Sequence, residues 1–133
     1  MGVNIILNKR VTDYKDGKVI LDDNSTITTK TLVWVSGVTA THFDHIDKDA
    51  LNRGGRITVN EFNQMPGMTN VFAIGDVCFQ TEEEYPNGHP QVAQVAIQQG
   101  NLLADNLKRL ESGKTLKAFH YINLGTLATV GRN

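Results

Sequence analysis

The chain has 133 residues, 40% hydrophobic and 20% charged, with a formal net charge of −1; this suits one ordinary-sized domain and excludes a disordered chain, a collagen-like repeat and a nucleic-acid footprint. Its lone cysteine, Cys78, excludes an internal disulfide framework, a Cys-x-x-Cys redox pair and a zinc ribbon. No run approaches the roughly 18 apolar residues of a membrane span, and Met1–Ile20 lacks a signal peptide's apolar core, so a soluble chain from a reducing compartment is expected.

Val3–Leu7 reads as a strand, one face more apolar than the other. Lys9–Tyr14 and Lys18–Asp22 flank Lys15-Asp16-Gly17, and Asp-Gly signals a tight hairpin because both central residues take positive φ. A second turn at Asp22–Ser25 leads into Thr26–Thr29, an exposed strand, which completes an antiparallel meander. Thr31–Ser36 is a continuous apolar strand closed by Gly37, with Trp34 expected to pack rather than touch a ligand. Thr39–Ala50 is polar; His42 and His45 stand near Asp44, Asp47 and Asp49, but the spacing fits no standard metal motif and a solvated linker is preferred. Asn52–Gly55 is a turn, Arg56–Asn60 a short strand, and Met65-Pro66-Gly67 another turn.

Asn70–Cys78 (Asn-Val-Phe-Ala-Ile-Gly-Asp-Val-Cys) organises the rest. Val71–Ile74 has the unbroken apolar character of a strand buried on both faces of a parallel sheet. Gly75 allows a backbone or ligand to come close, and Asp76 stands where the strand stops, the place where open α/β sheets bind ligands. An ionised carboxylate there can accept from two hydroxyls of a polyol; equally, it can cap the following turn. Gln80–His89 is a loop whose run Glu82-Glu83-Glu84 reads as solvated surface. From Pro90, suited to a first helical position, a helix is expected to about Leu110. Val92, Val95, Ala96, Leu103, Leu107 and Leu110 form its apolar stripe; Gln91, Gln94, Gln98, Asn101, Asp105 and Lys108 form a polar one, which alone is an ordinary wet face. Gly100 in mid-helix points to close packing against a neighbour.

Asn70–Cys78 resembles the second flavin-binding motif of two-dinucleotide-fold flavoproteins. Ala93-Gln94-Val95-Ala96-Ile97-Gln98 resembles the Ala-Gln-x-x-x-Gln motif of type II NADH dehydrogenases, as do Trp34–Val38 and Gly125–Arg132 in the same order. The resemblance covers nearly the whole chain. It implies an internal fragment of an FAD-dependent NADH:quinone oxidoreductase of α/β class, in which an antiparallel β-meander joins part of a Rossmann-like FAD-binding domain with one long helix. Residues 1–37 would be the tail end of the NADH-binding domain, 38–113 the second part of the FAD-binding domain, and 114–133 the start of a C-terminal domain. No Gly-x-Gly-x-x-Gly occurs, so both glycine fingerprints are expected upstream and an amphipathic membrane-binding segment downstream.

By the same resemblance, Asp76 would hold the ribityl chain of FAD, with Gly75, Ala93 and Gln94 also contacting the cofactor. Gln94 and Gln98, at i and i+4, would bind the quinone. The start of the helix would favour negative charge near N1 and O2 of the flavin. No side chain is expected to act as an acid–base catalyst, and no metal is implied. The parent would be peripheral on the cytoplasmic side of the membrane, using NADH as substrate; the fragment alone would be soluble, inactive and without bound FAD. Its partners would be the missing N- and C-terminal parts of the same protein, or a second copy through exposed strand edges. The alternatives are another FAD-dependent NAD(P)H reductase, such as a ferredoxin-reductase-like one, against which the Gln motif speaks, and a non-catalytic self-associating module.

Overall fold

A computed structural model describes residues 2–125, Arg53 by its backbone alone. The chain divides into two compact units, Met1–Gly37 and Val38–Asn133. In the first, β1 (Val11–Lys15), β2 (Lys18–Leu21) and β3 (Thr26–Thr28) form an antiparallel meander in sequence order. Asp16 (φ 51°) and Gly17 (φ 70°) make the two-residue turn in the conformation that Asp-Gly favours. At the second turn Asn24 adopts φ 63°, and the Asp23 carboxylate accepts from the Ser25 amide at 3.1 Å and its hydroxyl at 2.6 Å. Lys9 also donates to Asp23; that bond, then those from Ser25, holds the carboxyl well below its usual range.

Two strands expected around this meander do not form. Residues 3–7 and 31–36 carry no ladder, and their side chains are open to solvent, Val35 at 91% and Trp34 at 61%. A strand apolar on both faces is stable only with neighbours to cover it, and the described residues of this unit supply only a three-stranded meander. Trp34 accordingly does not pack as expected.

The second unit holds a small mixed sheet of β4 (Leu51–Asn52), β5 (Arg56–Thr58) and β6 (Cys78–Phe79), in that order. β4 and β5 are antiparallel, joined through Gly54 and Gly55 at positive φ; β5 and β6 are parallel, with Ile57 opposite Cys78. Ile57, Val59, Met65, Ala73 and Cys78 form its core. The expected strand at 71–74 is replaced by a half-buried segment in which only Ala73 is fully buried. Only Phe72 makes a bridge, to Gln64, and the ladder resumes after a 3-10 turn, Gly75–Val77. The cause lies in residues 60–65. The Asn60 carboxamide accepts from the Phe62 and Gln64 amides, and the loop so shaped supplies Asn63 and Met65 as backbone partners of Ala73 and Val71.

Helix α1 (Ala93–Glu111) begins three residues later than expected, with Val92 extended at its N-cap and Pro90 outside it. Its buried residues are Val95, Gln99 and Asn106, while Leu107 and Leu110 of the expected apolar stripe are exposed. The buried face is therefore turned toward polar groups. The small antiparallel and mixed sheets with one long helix fit a partial α/β fold.

Candidate functional site

The backbone turns sharply after buried Ala73. Gly75 has φ +67°, and a Cβ built on it would lie 3.2 Å from the Ala96 Cβ, so glycine is required for both conformation and closeness. A Cβ on Gly100 would meet Ile74 at 3.8 Å, an ordinary van der Waals contact rather than the close packing expected of that residue. The Gly75 N–H donates to the Gln99 side-chain oxygen at 2.7 Å, and the Gln91 amide donates to the Asp76 carbonyl at 2.9 Å. Gly75 and Asp76 thus lie against the first turns of the helix that carries Ala93 and Gln94. The Asp76 side chain is exposed, and Val92 supplies no side-chain cap to the helix. Uncapped N–H groups at a helix start attract negative charge, while the carboxylate accepts from hydroxyls.

Gln94 and Gln98 do not form a free wet face. Gln98 accepts from the Ile122 N–H at 3.0 Å and donates to the Ile122 carbonyl at 2.8 Å. Gln94 donates to the Gly125 carbonyl at 2.7 Å and accepts from the Leu124 N–H at 3.1 Å and the Tyr121 hydroxyl at 3.3 Å. Further along, Asn106 pairs both ways with Lys117, each bond 2.9 Å. Three carboxamides therefore imitate a neighbouring strand for the returning segment 117–125. By hydrogen-bond inventory among the described residues, Gln94 keeps one N–H and Gln98 one N–H and one lone pair. Asn106→Leu is expected to cost about 1–3 kcal/mol because it leaves the Lys117 N–H and carbonyl without their part-buried partner, whereas Gln98→Leu costs under about 1 kcal/mol because its bonds to Ile122 are open to water. Urea unfolding of the two variants measures both.

Three further groups were not singled out by sequence. Buried Gln80, Gln99 and Asn63 share hydrogen bonds, the Gln80 oxygen accepting from Gln99 at 3.0 Å and from Asn63 at 3.3 Å. Burial pushes the neighbouring Cys78 thiol up. Arg56 donates to the carbonyls of Cys78 (2.8 Å) and His89 (3.0 Å) and lies over the Phe79 ring, and burial lowers its pKa. Glu82 is not the solvated residue expected of an acidic run: it meets buried His89, the His120 Nδ1 at 3.2 Å and the Tyr121 N–H at 2.9 Å. Burial pushes the Glu82 carboxyl up, but the bonds from Tyr121, His89 and His120 outweigh it and lower its pKa. Gln99 could have been found in sequence as an amide four residues beyond Val95, on the buried side.

A cleft of about 320 Å³ lined by Thr39, Arg56, Phe79, Asn87 and Gln91 adjoins the 75–77 turn through Gln91. A larger one, about 620 Å³, lies among Ile46, Ala50, Met65, Met68 and Val71 and contains none of the expected site residues. The Gly125–Arg132 motif lies outside the described residues from position 126 onward.

Comparison with known proteins fits this arrangement. The family model "Pyridine nucleotide-disulphide oxidoreductase" matches residues 1–100. The chain is 34% identical, over 92% of its length, to the internal alternative NAD(P)H-ubiquinone oxidoreductase A1, mitochondrial, of Arabidopsis thaliana, and covers 26% of that protein. It is 36% identical to a type II NADH:quinone oxidoreductase of Staphylococcus epidermidis and 34% to one of Staphylococcus aureus, over 77% and 76% of its length and 25% of each relative. The chain thus spans about a quarter of the length of the curated relatives it matches. With most of its length matched by the family model, the chain belongs to the pyridine nucleotide-disulphide oxidoreductase family.

Proposed function

We propose that the chain is part of a flavoprotein that oxidises NADH and reduces a membrane quinone through FAD, and that by itself it does not turn over. The observation that carries this is the Gly75–Asp76 turn held against the uncapped start of α1. These residues fit FAD. The exposed Asp76 carboxylate accepts from hydroxyls of a ribityl chain, and the N–H groups at Ala93 and Gln94 suit an electron-rich pyrimidine edge. The closeness of Gly75 to Ala96 leaves no Cβ in the way of that approach. When bound, FAD supplies the redox chemistry between NADH and quinone.

The residues of this chain bind and orient. Gln94 has both lone pairs engaged, so toward a quinone it can only donate, through the N–H left over among the described residues; Gln98, counted in the same way, can still donate and accept. Segment 121–125 fixes both side chains before any ligand arrives, which reduces the ordering cost of binding. Residues 1–37 and 38–113 would belong to the NADH- and FAD-binding halves of the parent, and 114–133 would open its C-terminal domain. The parent would sit peripherally on the membrane; no helix among the described residues is long and apolar enough to cross one.

The test places this chain in the matching quarter of the Staphylococcus aureus relative and assays NADH-dependent quinone reduction. Gln94→Leu is expected to raise the KM for quinone about tenfold, the loss of one hydrogen bond to the substrate. An unchanged KM would remove Gln94 from the quinone site. A second reading, self-association, is favoured by the exposed apolar residues Val3, Ile5, Leu7, Val33 and Val35. In the unaccompanied chain these would pair with another copy, and a clean monomer at high concentration in size-exclusion chromatography would reject it.

A further inference from the structure

Gln99 lies outside the pair of glutamines that the family motif singles out, yet it is the one inside the protein. It is 1% exposed, in the middle of α1, and its two amide atoms point to different tasks. The oxygen accepts the Gly75 N–H at 2.7 Å; the nitrogen donates to the Gln80 oxygen at 3.0 Å and to the Cys78 sulfur at 3.6 Å. Gln80 in turn donates to the Asn60 carbonyl at 2.9 Å. This amide therefore ties one peptide group of the Gly75–Val77 turn, through the buried Gln80, to the loop that shapes residues 60–65.

We propose that Gln99 is a positioning residue for the cofactor side of this site: it fixes where the Gly75–Asp76 turn stands along α1, and hence how far the Asp76 carboxylate lies from the helix start at Ala93 and Gln94. The proposal rests on the flavin reading above for what Asp76 holds, but not for the coupling itself. Contact alone leaves the turn free to slide, because Gly75 rests on the single methyl of Ala96 and Ile74 makes only ordinary van der Waals contact at Gly100; the bond from Gln91 to the Asp76 carbonyl is exposed to water and comes from outside α1. A hydrogen bond has direction and length, so it selects one height. The 75–77 turn is short and has no side-chain cap of its own. An interior amide with its oxygen on that turn and its nitrogen on the core is thus a fixed strut, and a hydrocarbon of the same size would fill the space without setting the position. Ligand groups must be held to within a fraction of an ångström by the shell behind them.

The experiment is amide hydrogen exchange by NMR on the full chain, wild type against Gln99→Met, with the flavin content of the Staphylococcus aureus relative carrying each version in its matching quarter measured in parallel. In Gln99→Met the Gly75 amide is expected to exchange faster by a factor on the order of ten, the loss of one directed hydrogen bond, while Ile57 and Val59 amides change less. If Gly75 is unaffected, or accelerates only in step with Ile57 and Val59, Gln99 merely fills the core and the proposal fails. Gln99→Glu separates the two further. A carboxyl buried there stays protonated in mild acid, so its oxygen still accepts from Gly75 and its hydroxyl donates to Gln80. Gly75 protection is expected to return in this variant at mildly acidic pH; loss equal to that of Gln99→Met would contradict the strut. In the Staphylococcus aureus relative, flavin content is expected to fall in Gln99→Met compared with wild type. If flavin content is unchanged by Gln99→Met while Gly75 responds to it, the positioning stands and the flavin assignment of this turn is the part overturned.

Discussion

Gly75→Ala destabilises the chain by about 2–4 kcal/mol, the sum of a left-handed backbone on a residue with a Cβ and a forced shift of packed neighbours. At φ +67° an alanine is strained wherever it sits, and here its methyl would also press on Ala96 at 3.2 Å. Ala96 belongs to the helix and cannot rotate away. The turn or the helix must therefore give by a few tenths of an ångström, which carries Asp76 with it. Gly113→Ala is the control: φ is +65°, yet nothing lies within 4 Å of a Cβ there. It should lose only the conformational part, about 1–2 kcal/mol. Urea unfolding of both variants isolates the contact by difference. Equal losses would show that the approach of Gly75 to Ala96 contributes nothing.

Removing Glu82 has the second large effect. Glu82→Ala leaves the His89 ring, buried among Tyr85, Phe119 and Tyr121, without its carboxylate and frees the Tyr121 N–H. The expected loss is about 2–3 kcal/mol, below the cost of breaking a fully buried pair because the Glu82 side chain keeps 20% of its surface in water. Glu82→Gln retains an acceptor for Tyr121 and should lose less. The pH dependence follows in sign. A carboxyl whose folded pKa is lowered stabilises the fold fully above its unfolded value near 4.5, and that contribution disappears as pH falls through the lowered folded value. Between neutrality and about pH 3, wild type should therefore lose more stability than Glu82→Gln. Parallel curves would mean that the charge of Glu82 is unimportant and only its shape matters.

The sequence made the local features legible and left unread those that depend on distant partners. Asp16-Gly17 was readable because two positive φ angles are a property of the dipeptide itself. The long helix was readable from its length and periodicity, although its start moved to Ala93 once Val92 took an extended conformation. Strand pairing was not readable at 3–7, 31–36 or 71–74, because an apolar run states what it wants to be covered by and not whether a neighbour is there. The helix face was misjudged for a related reason: Leu107 and Leu110 are apolar, but the buried amides of Gln99 and Asn106 have hydrogen-bond partners in Gly75, Gln80 and Lys117. Hydrophobicity alone could not rank a satisfied amide above an exposed leucine. Of the site, Gly75 and Asp76 follow a segment that does not form the expected strand and stand in a 3-10 turn against the helix carrying Ala93 and Gln94. The engagement of Gln94 and Gln98 with residues 121–125 needed the fold, since no spacing rule links a helix to a segment more than twenty residues away.

The central claim is that Asp76, at the turn held by α1, takes part in binding FAD. Its most direct measurement is the flavin content of the purified Staphylococcus aureus relative carrying this chain in its matching quarter, with and without Asp76→Ala, read by flavin absorbance and fluorescence after gel filtration. The expected result is stoichiometric flavin in the first protein and its loss from the second, with both folded by circular dichroism. Flavin retained at the same stoichiometry and affinity after Asp76→Ala would contradict the account.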